Sequence, residues 1–211
     1  MKPIFITGIG TGVGKTVVAA IVAEALGADY WKPVQAGFAE GTDGMWVRSM
    51  TSDQTKVYPE AYKLAMAASP HIAARAEGIN IHLSTIIEFF SVISANRKRF
   101  VIEGAGGLMV PLSEDKFMID LIRALDARII LVSRNYLGSI NHSLLTAAAC
   151  AAHKLDVLGW IFNDQYLDYE GDIASWSGYS ILASIPWAES IHKDFIAEQA
   201  QRIRPALNHL L

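Results

Sequence analysis

The sequence predicts an α/β fold, a mainly parallel β-sheet with helices on both faces, and two observations carry that prediction. Short runs rich in Val, Ile, Phe and Leu recur along the chain, and segments with helical spacing separate them. These runs are apolar on both faces, as a parallel strand requires when helices cover it above and below. Composition agrees: of 211 residues, 52% are hydrophobic and 18% charged, a balance that fills a core and excludes a disordered chain. The length suits a single domain, 1–211, and no repeat, low-complexity tract or proline-rich linker divides it.

Taken in order, strands are expected at 3–7 (PIFIT), 29–34 (DYWKPV), 99–103 (RFVIE), 128–133 (RIILVS), 157–162 (VLGWIF) and 180–185 (SILASI). Helices are expected at 15–26, 43–50, 69–76, 84–96, 118–125, 139–153 and 192–210. Alternation of the two is the doubly wound pattern. The stretch 51–68, TSDQTKVYPEAYKLAMAA, shows no clear period and fits a loop of functional length.

Several classes are excluded early. A net charge of -3 offers no electrostatic footprint for nucleic acid, and the basic cluster Arg97-Lys98-Arg99 reads as a solvated turn before a strand. One cysteine, Cys150 in TAAACAAH, cannot form an intrachain disulfide and reads as a buried small hydrophobe. The opening MKPIFITG is too short in its apolar part for a secretory signal, and no run reaches the length of a membrane span. The cytoplasm is the expected location, with neither nucleic acid nor membrane as partner.

Residues 5–20, FITGIGTGVGKTVVAA, place four glycines within seven residues between two apolar runs. Glycine loses the most backbone freedom on ordering, so the stretch has to need bare backbone. It lies beyond the carboxyl end of the first strand and before a helix, where open α/β sheets bind ligands. There, successive N–H groups can surround phosphate oxygens, Lys15 can add charge and Thr16 can offer a hydroxyl to Mg2+. The usual pattern G-x-x-x-x-G-K-[ST] fails by one residue, because five residues separate Gly8 from Gly14. A dinucleotide fingerprint fits worse, since Lys32 stands where an acid would bind ribose. A nucleoside triphosphate is expected, and with it a P-loop NTPase fold.

Phosphoryl transfer also needs acidic oxygens at a neighbouring strand end. Glu103 supplies one: it closes the run FVIE and precedes glycines that permit close approach of a ligand. Lys32 ends the second strand beside Pro33, either to bind a substrate carboxylate or carbamate or to extend into solvent. Asp43, in GTDGMWV, is either a second metal ligand or a helix N-cap. The six histidines show no zinc spacing, His71 reads as a helix-start residue beside a pocket, and no G-x-S-x-G elbow supports a serine hydrolase.

The set GIGTGVGKT, KPVQAG, Thr42-Asp43, SPHIAA, EGAGGLMVPL, YLGSINHSLLT, GWIFND and ASIPW resembles the dethiobiotin synthetases in order and approximate spacing, from residue 4 to about 187. The resemblance implies an ATP- and Mg2+-dependent homodimeric ligase that closes the ureido ring of dethiobiotin from 7,8-diaminopelargonate and CO2. In that family the diamine becomes a carbamate, ATP phosphorylates it, and the neighbouring amine attacks the mixed anhydride and expels phosphate.

The resemblance implies that Thr11, Lys15 and Lys32 surround the carbamate and the transferring phosphate, and that Thr16, Asp43 and Glu103 hold the metal. Gly12, Val13, Gly14 and Val17 complete the phosphate loop, Asn163 reads the adenine, and Ile185, Pro186 and Trp187 edge the base pocket. It further implies that Leu137, Gly138, Ser139, Ile140 and Asn141 hold the substrate's distant carboxylate across the dimer. Ala36 departs from the Ser or Thr usual beside the reacting amine, so one substrate hydrogen bond is missing or comes from Gln35. Gly10 and Gly12 replace more polar loop residues.

The alternative is a switch ATPase of the partition or division-site type, which carries a signature lysine where this chain has Gly10. Such proteins also tend to end in a basic membrane helix, whereas the segment 194–211 is balanced in charge and reads as broken by Pro205.

Overall fold

Strand β1 (Ile4–Gly8) is buried along its whole length, and its side chains alternate between two cores. Ile4 and Ile6 join one cluster and Phe5 the other, as the two-residue repeat of a strand covered on both faces dictates. The computed structural model describes residues 2–95, 99–164 and 167–210. Along the chain the further strands are β2 (Asp29–Trp31), β3 (Val34–Ala36), β4 (Val57–Tyr58), β5 (Tyr62–Leu64), β6 (Phe100–Gly107), β7 (Arg128–Arg134), β8 (Val157–Asn163) and β9 (Ile181–Ile185). The helices are α1 (Lys15–Leu26), α2 (Asp43–Met50), α3 (Pro70–Ala76), α4 (Leu83–Ser94), α5 (Met118–Ala124), α6 (Ser139–Ala152), α7 (Glu170–Ser177) and α8 (Lys193–Leu210).

Seven strands form one parallel sheet in the order β4-β2-β6-β1-β7-β8-β9. Residues of α1 and α8, among them Val18, Ile21, Ile196 and Ile203, pack with Ile4 and Ile6 on one face. Ile86 of α4, Met118 of α5, Cys150 of α6 and Ile173 of α7 pack with Phe5, Trp31 and Trp160 on the other. The α/β class with helices on both faces is therefore as the sequence predicts. Chain order reverses at β1, whose carboxyl end points into the crevice between β6 and β7, the place where such sheets bind ligands.

Four expectations need correction. The run 29–34 is two strands, because β2 stops at Trp31 and β3 leaves to pair with β5 in a separate two-stranded sheet. Pro33 sits at the break: it has no N–H for the ladder, and its carbonyl accepts from Ala61 and Tyr62. The stretch 51–68 holds β4 and β5, strands of two and three residues that are too short for a readable period. Helix α7 was not expected, since only Ile173 among its residues is buried and no apolar stripe announces it. Finally, α8 runs through Pro205 unbroken, held by the buried stripe Ile196, Ala200, Ile203 and Leu207.

Cys150 is fully buried, and burial pushes its thiol up to about 12, as suits a core residue. Asn96 of the expected fourth helix, and Arg97 and Lys98 of the basic cluster, lie outside the described residues. Arg99 donates to the carbonyl of Leu26 at 3.3 Å.

Candidate active site

The loop between β1 and α1 is shaped by its neighbours. Gly14 is the N-cap of α1 in the left-handed region, at φ 86°, and a Cβ there would run into the side chain of Asn163. Asn163, at the end of β8, donates from Nδ2 to the carbonyl of Val13 at 2.7 Å, bracing the loop from across the sheet. On the other side a Cβ on Gly107 of β6 would lie 2.9 Å from the carbonyl oxygen of Gly8, so glycine there lets the two strand ends approach. The loop's bare backbone thus serves packing as well as the open N–H groups at the head of α1.

Lys15 folds back along the loop and donates to the Gly10 carbonyl at 2.7 Å. Burial lowers its ammonium to about 8, against the pull of Glu103 and with the repulsion of Lys32. Beside it the Thr16 hydroxyl lies 2.9 Å from Oδ1 of Asp43 and 2.9 Å from Oε1 of Glu103. Lys32 bridges the same two carboxylates, pairing with Oδ2 of Asp43 and lying 3.1 Å from Oε1 of Glu103. Burial opposes its charge, but Glu103 and Asp43 outweigh burial and hold the ammonium above its ordinary value. Asp43 shows the converse: burial works to raise its carboxyl, and Lys32 and Thr16 bring it below the ordinary value.

Two residues brace the site in roles that the sequence does not reveal. Tyr30, wholly buried on β2, donates to Oε2 of Glu103 at 2.8 Å. Gln35 accepts from the Asp43 amide at 3.1 Å and donates to the Gly37 carbonyl at 2.8 Å. Gln35 is therefore engaged in bracing the Asp43 turn. Asp43 is not the helix cap: Thr42 is the N-cap of α2, its hydroxyl accepting from Met45 N, and Asp43 follows in the first turn.

Thr11, Gly12, Lys15, Thr16, Lys32, Ala36, Asp43 and Glu103 line one cavity of about 770 Å3, with Ala67, Ala68, Ser69, Pro70 and Val110 also on its wall. A second hollow of about 210 Å3 adjoins it, with Gly12, Val13, Gly14 and Val17 on one wall. Asn163, Ile185, Pro186 and the exposed Trp187 form the opposite wall. An ion pair, Arg134 Nε to Asp164 Oδ2 at 2.7 Å, lies at its margin.

Leu137, Gly138, Ser139, Ile140 and Asn141 line neither space. They lead into α6: Leu137 is 89% exposed, Gly138 and Asn141 are exposed and Ile140 is half-buried, while Ser139 is buried with its hydroxyl 2.8 Å from the Tyr169 hydroxyl. His71 lies beside Ser69 Oγ at 3.0 Å and faces a third cavity, with Arg75 and Lys116.

The oxygens of Thr16, Asp43 and Glu103 suit a hard cation such as Mg2+, which takes one or two carboxylates and leaves its remaining positions to water and phosphate. Among the described residues no group of three or more His, Cys, Asp or Glu side chains is placed to hold a metal.

Fold and loop define a P-loop nucleotide-binding protein, and comparison with known proteins narrows that class. The family model AAA_26, an AAA domain, matches residues 2–194. Among curated relatives, the ATP-dependent dethiobiotin synthetase BioD of Cytophaga hutchinsonii is 44% identical over 96% of this chain and 97% of its own. The protein of the same name from Christiangramia forsetii is 43% identical over 98% of each. The chain belongs to the dethiobiotin synthetase family. Solved structures of similar fold include the cell division ATPase MinD of Pyrococcus furiosus, with TM-score 0.63 and 14% identity over the full length of both chains. A putative plasmid partition protein from Borrelia burgdorferi bound to AMPPNP gives TM-score 0.65 and 13% identity over 100% of this chain and 99% of that one. At such identity these two share the fold alone.

Proposed function

We propose that this chain is an ATP-dependent dethiobiotin synthetase, a ligase of biotin biosynthesis acting on 7,8-diaminopelargonate and CO2, and that 1–211 works as one catalytic unit. The observation that carries the reading is the convergence of Lys15, Lys32, Thr16, Asp43 and Glu103 on the cavity at the head of α1. Two ammonium groups and an array of N–H donors face a reaction in which each step builds anionic oxygen, and such groups stabilise it most where water is excluded.

Thr16, Asp43 and Glu103 would hold Mg2+, which supplies charge neutralisation to the phosphates when bound. The amides of Gly12, Val13 and Gly14, with Lys15, cradle the triphosphate, and Lys15 exchanges the Gly10 carbonyl for phosphate oxygen. Asn163 still has its Oδ1 to accept from the exocyclic amine of adenine, because Nδ2 is given to Val13. Ile185, Pro186 and Trp187 flank the base. Lys32 and Thr11 orient the carbamate formed when one amine of the substrate adds to CO2 and loses a proton. The carbamate oxygen then takes the γ-phosphoryl group of ATP and releases ADP, and the second amine attacks the carbonyl carbon, displaces phosphate and loses a proton to close the ring. Ala36 offers no hydrogen bond to that amine, and Gln35 is occupied with Asp43 and Gly37.

The start of α6 suits the substrate's distant carboxylate, since helix N-termini favour anions. Its residues line neither cavity of their own chain, which supports a homodimer in which Leu137, Gly138, Ser139, Ile140 and Asn141 serve the partner's site. No described helix is long and apolar enough to cross a membrane, and a net charge of -3 gives nucleic acid no footprint. We place the enzyme in the cytoplasm as part of the same reading. The switch-ATPase alternative has the fold likeness in its favour, but Gly10 stands at its signature lysine.

The deciding experiment is ATP hydrolysis measured with and without the diamine in bicarbonate. Turnover that depends on the diamine and yields dethiobiotin is expected, and is lost in Lys15→Ala. Hydrolysis indifferent to the diamine would favour the switch ATPase.

A further inference from the structure

Glu103 uses its two oxygens differently. Oε1 faces the cavity, 2.9 Å from the Thr16 hydroxyl and 3.1 Å from Lys32 Nζ, while Oε2 turns toward the core and accepts the Tyr30 hydroxyl at 2.8 Å. The sheet fixes that pairing. Tyr30 of β2 lies opposite Val101 of β6, and Glu103, two residues on, shares the same face as its diagonal neighbour. Both side chains are sealed: Tyr30 is fully buried and Glu103 is 1% exposed.

Resting on the reading of Thr16, Asp43 and Glu103 as cation ligands, we propose that Tyr30 is a positioning residue that confines Glu103 to one ligating oxygen and so makes the site select a small cation. Mg2+ demands octahedral geometry and accepts single carboxylate oxygens, whereas Ca2+ takes six to eight oxygens and readily accepts both from one carboxylate. With Oε2 held by the phenol, a second bond from Glu103 would break a buried hydrogen bond and leave the hydroxyl unpaired. Without the hydroxyl, Oε2 has no other hydrogen-bond partner among the described residues, and the carboxylate is free to swing both oxygens toward the cavity. Partners of metal ligands commonly set affinity in this way.

The test compares full-length wild-type protein with Tyr30→Phe, which keeps the ring and its packing. Binding of Mg2+ and of Ca2+ is titrated calorimetrically in the presence of a non-hydrolysable ATP analogue. The wild type is expected to prefer Mg2+, and the ratio of Ca2+ to Mg2+ affinity is expected to rise about tenfold in the variant. General loosening of the site weakens both cations alike, so an unchanged ratio overturns the proposal. Should the variant fail to fold, infrared spectra of wild-type protein carrying 13C-carboxyl glutamate, with the Glu103→Gln spectrum subtracted, give the answer. A wide separation of the two carboxylate stretches on adding Mg2+ supports single-oxygen ligation, and a narrow one refutes it. Wild-type protein that binds neither cation removes the ligand reading itself, a result distinct from equal ratios in two proteins that both bind.

Discussion

Lys32 Nζ lies 3.1 Å from Oε1 of Glu103 and also pairs with Asp43, so two carboxylates share one buried ammonium. Neither Lys32 nor Glu103 can be solvated where it sits, and burial of an unpaired charge is among the costliest changes a core can suffer.

Lys32→Met should therefore destabilise the free protein by about 3 kcal/mol or more, the usual consequence of removing one partner from a buried pair. Urea denaturation reads this directly. Saturating Mg2+ and ATP analogue should narrow the gap between variant and wild type, because a bound cation replaces the lost positive charge and binds only the folded state. The pH dependence has a definite sign. Burial works to raise the Asp43 carboxyl, but Lys32 holds it below 3.8, so its contribution is full above 3.8 and disappears as pH falls through the lower folded value. That acid limb should shrink in Lys32→Met. Equal stability of the two proteins without ligand would rule out the pairing as described.

Much of this site is legible in the sequence because its chemistry needs particular residue types at strand ends. Lys15 and Thr16 follow a glycine run, and Glu103 closes an apolar one. Asp43 is legible only as an acid near a helix start; its place opposite Glu103 depends on the departure of β3 from the sheet at Pro33. Tyr30 is illegible, since an aromatic in a buried strand looks like any core residue until its hydroxyl finds a carboxylate. Helix α7 and the short strands β4 and β5 escaped for a related reason. Too few of their residues are buried to impose a period, so neighbours in space define them.

Lys15 makes nucleotide binding take up protons. Burial lowers its ammonium to about 8 in the free protein, and phosphate oxygens beside it favour the charged form. At pH 8 about half a proton should be taken up per ATP bound, read from binding enthalpies in two buffers of different ionisation enthalpy. Lys15→Arg keeps the charge at every accessible pH and should abolish the uptake. The same shift makes folding stability rise between about 8 and 10.5, because the unfolded chain holds the proton through that window and the folded one does not. ATP binding at pH 8 without proton uptake would show that the lysine is not held as the structure has it.

The segment leading into α6 gives the proposed dimer its sharpest test. Leu137, just before α6, is 89% exposed and Leu145, within it, is 61% exposed, yet neither borders the chain's own cavity. If this terminus serves the partner's site, damage there and damage to the phosphate loop fall on different sites of the dimer. Leu137→Glu places a negative charge where a carboxylate should dock, and Lys15→Ala removes the loop's cation; each alone should be inactive. In a two-fold dimer formed by random mixing, half the molecules are mixed, and each carries one site with both parts intact, so about a quarter of wild-type activity should return. Recovery on co-expression, absent when the two purified proteins are assayed together without subunit exchange, would establish a site built from both chains. No recovery, with mixed dimers demonstrated by differential tagging, would mean that each chain completes its own site and that the helix terminus serves some other purpose.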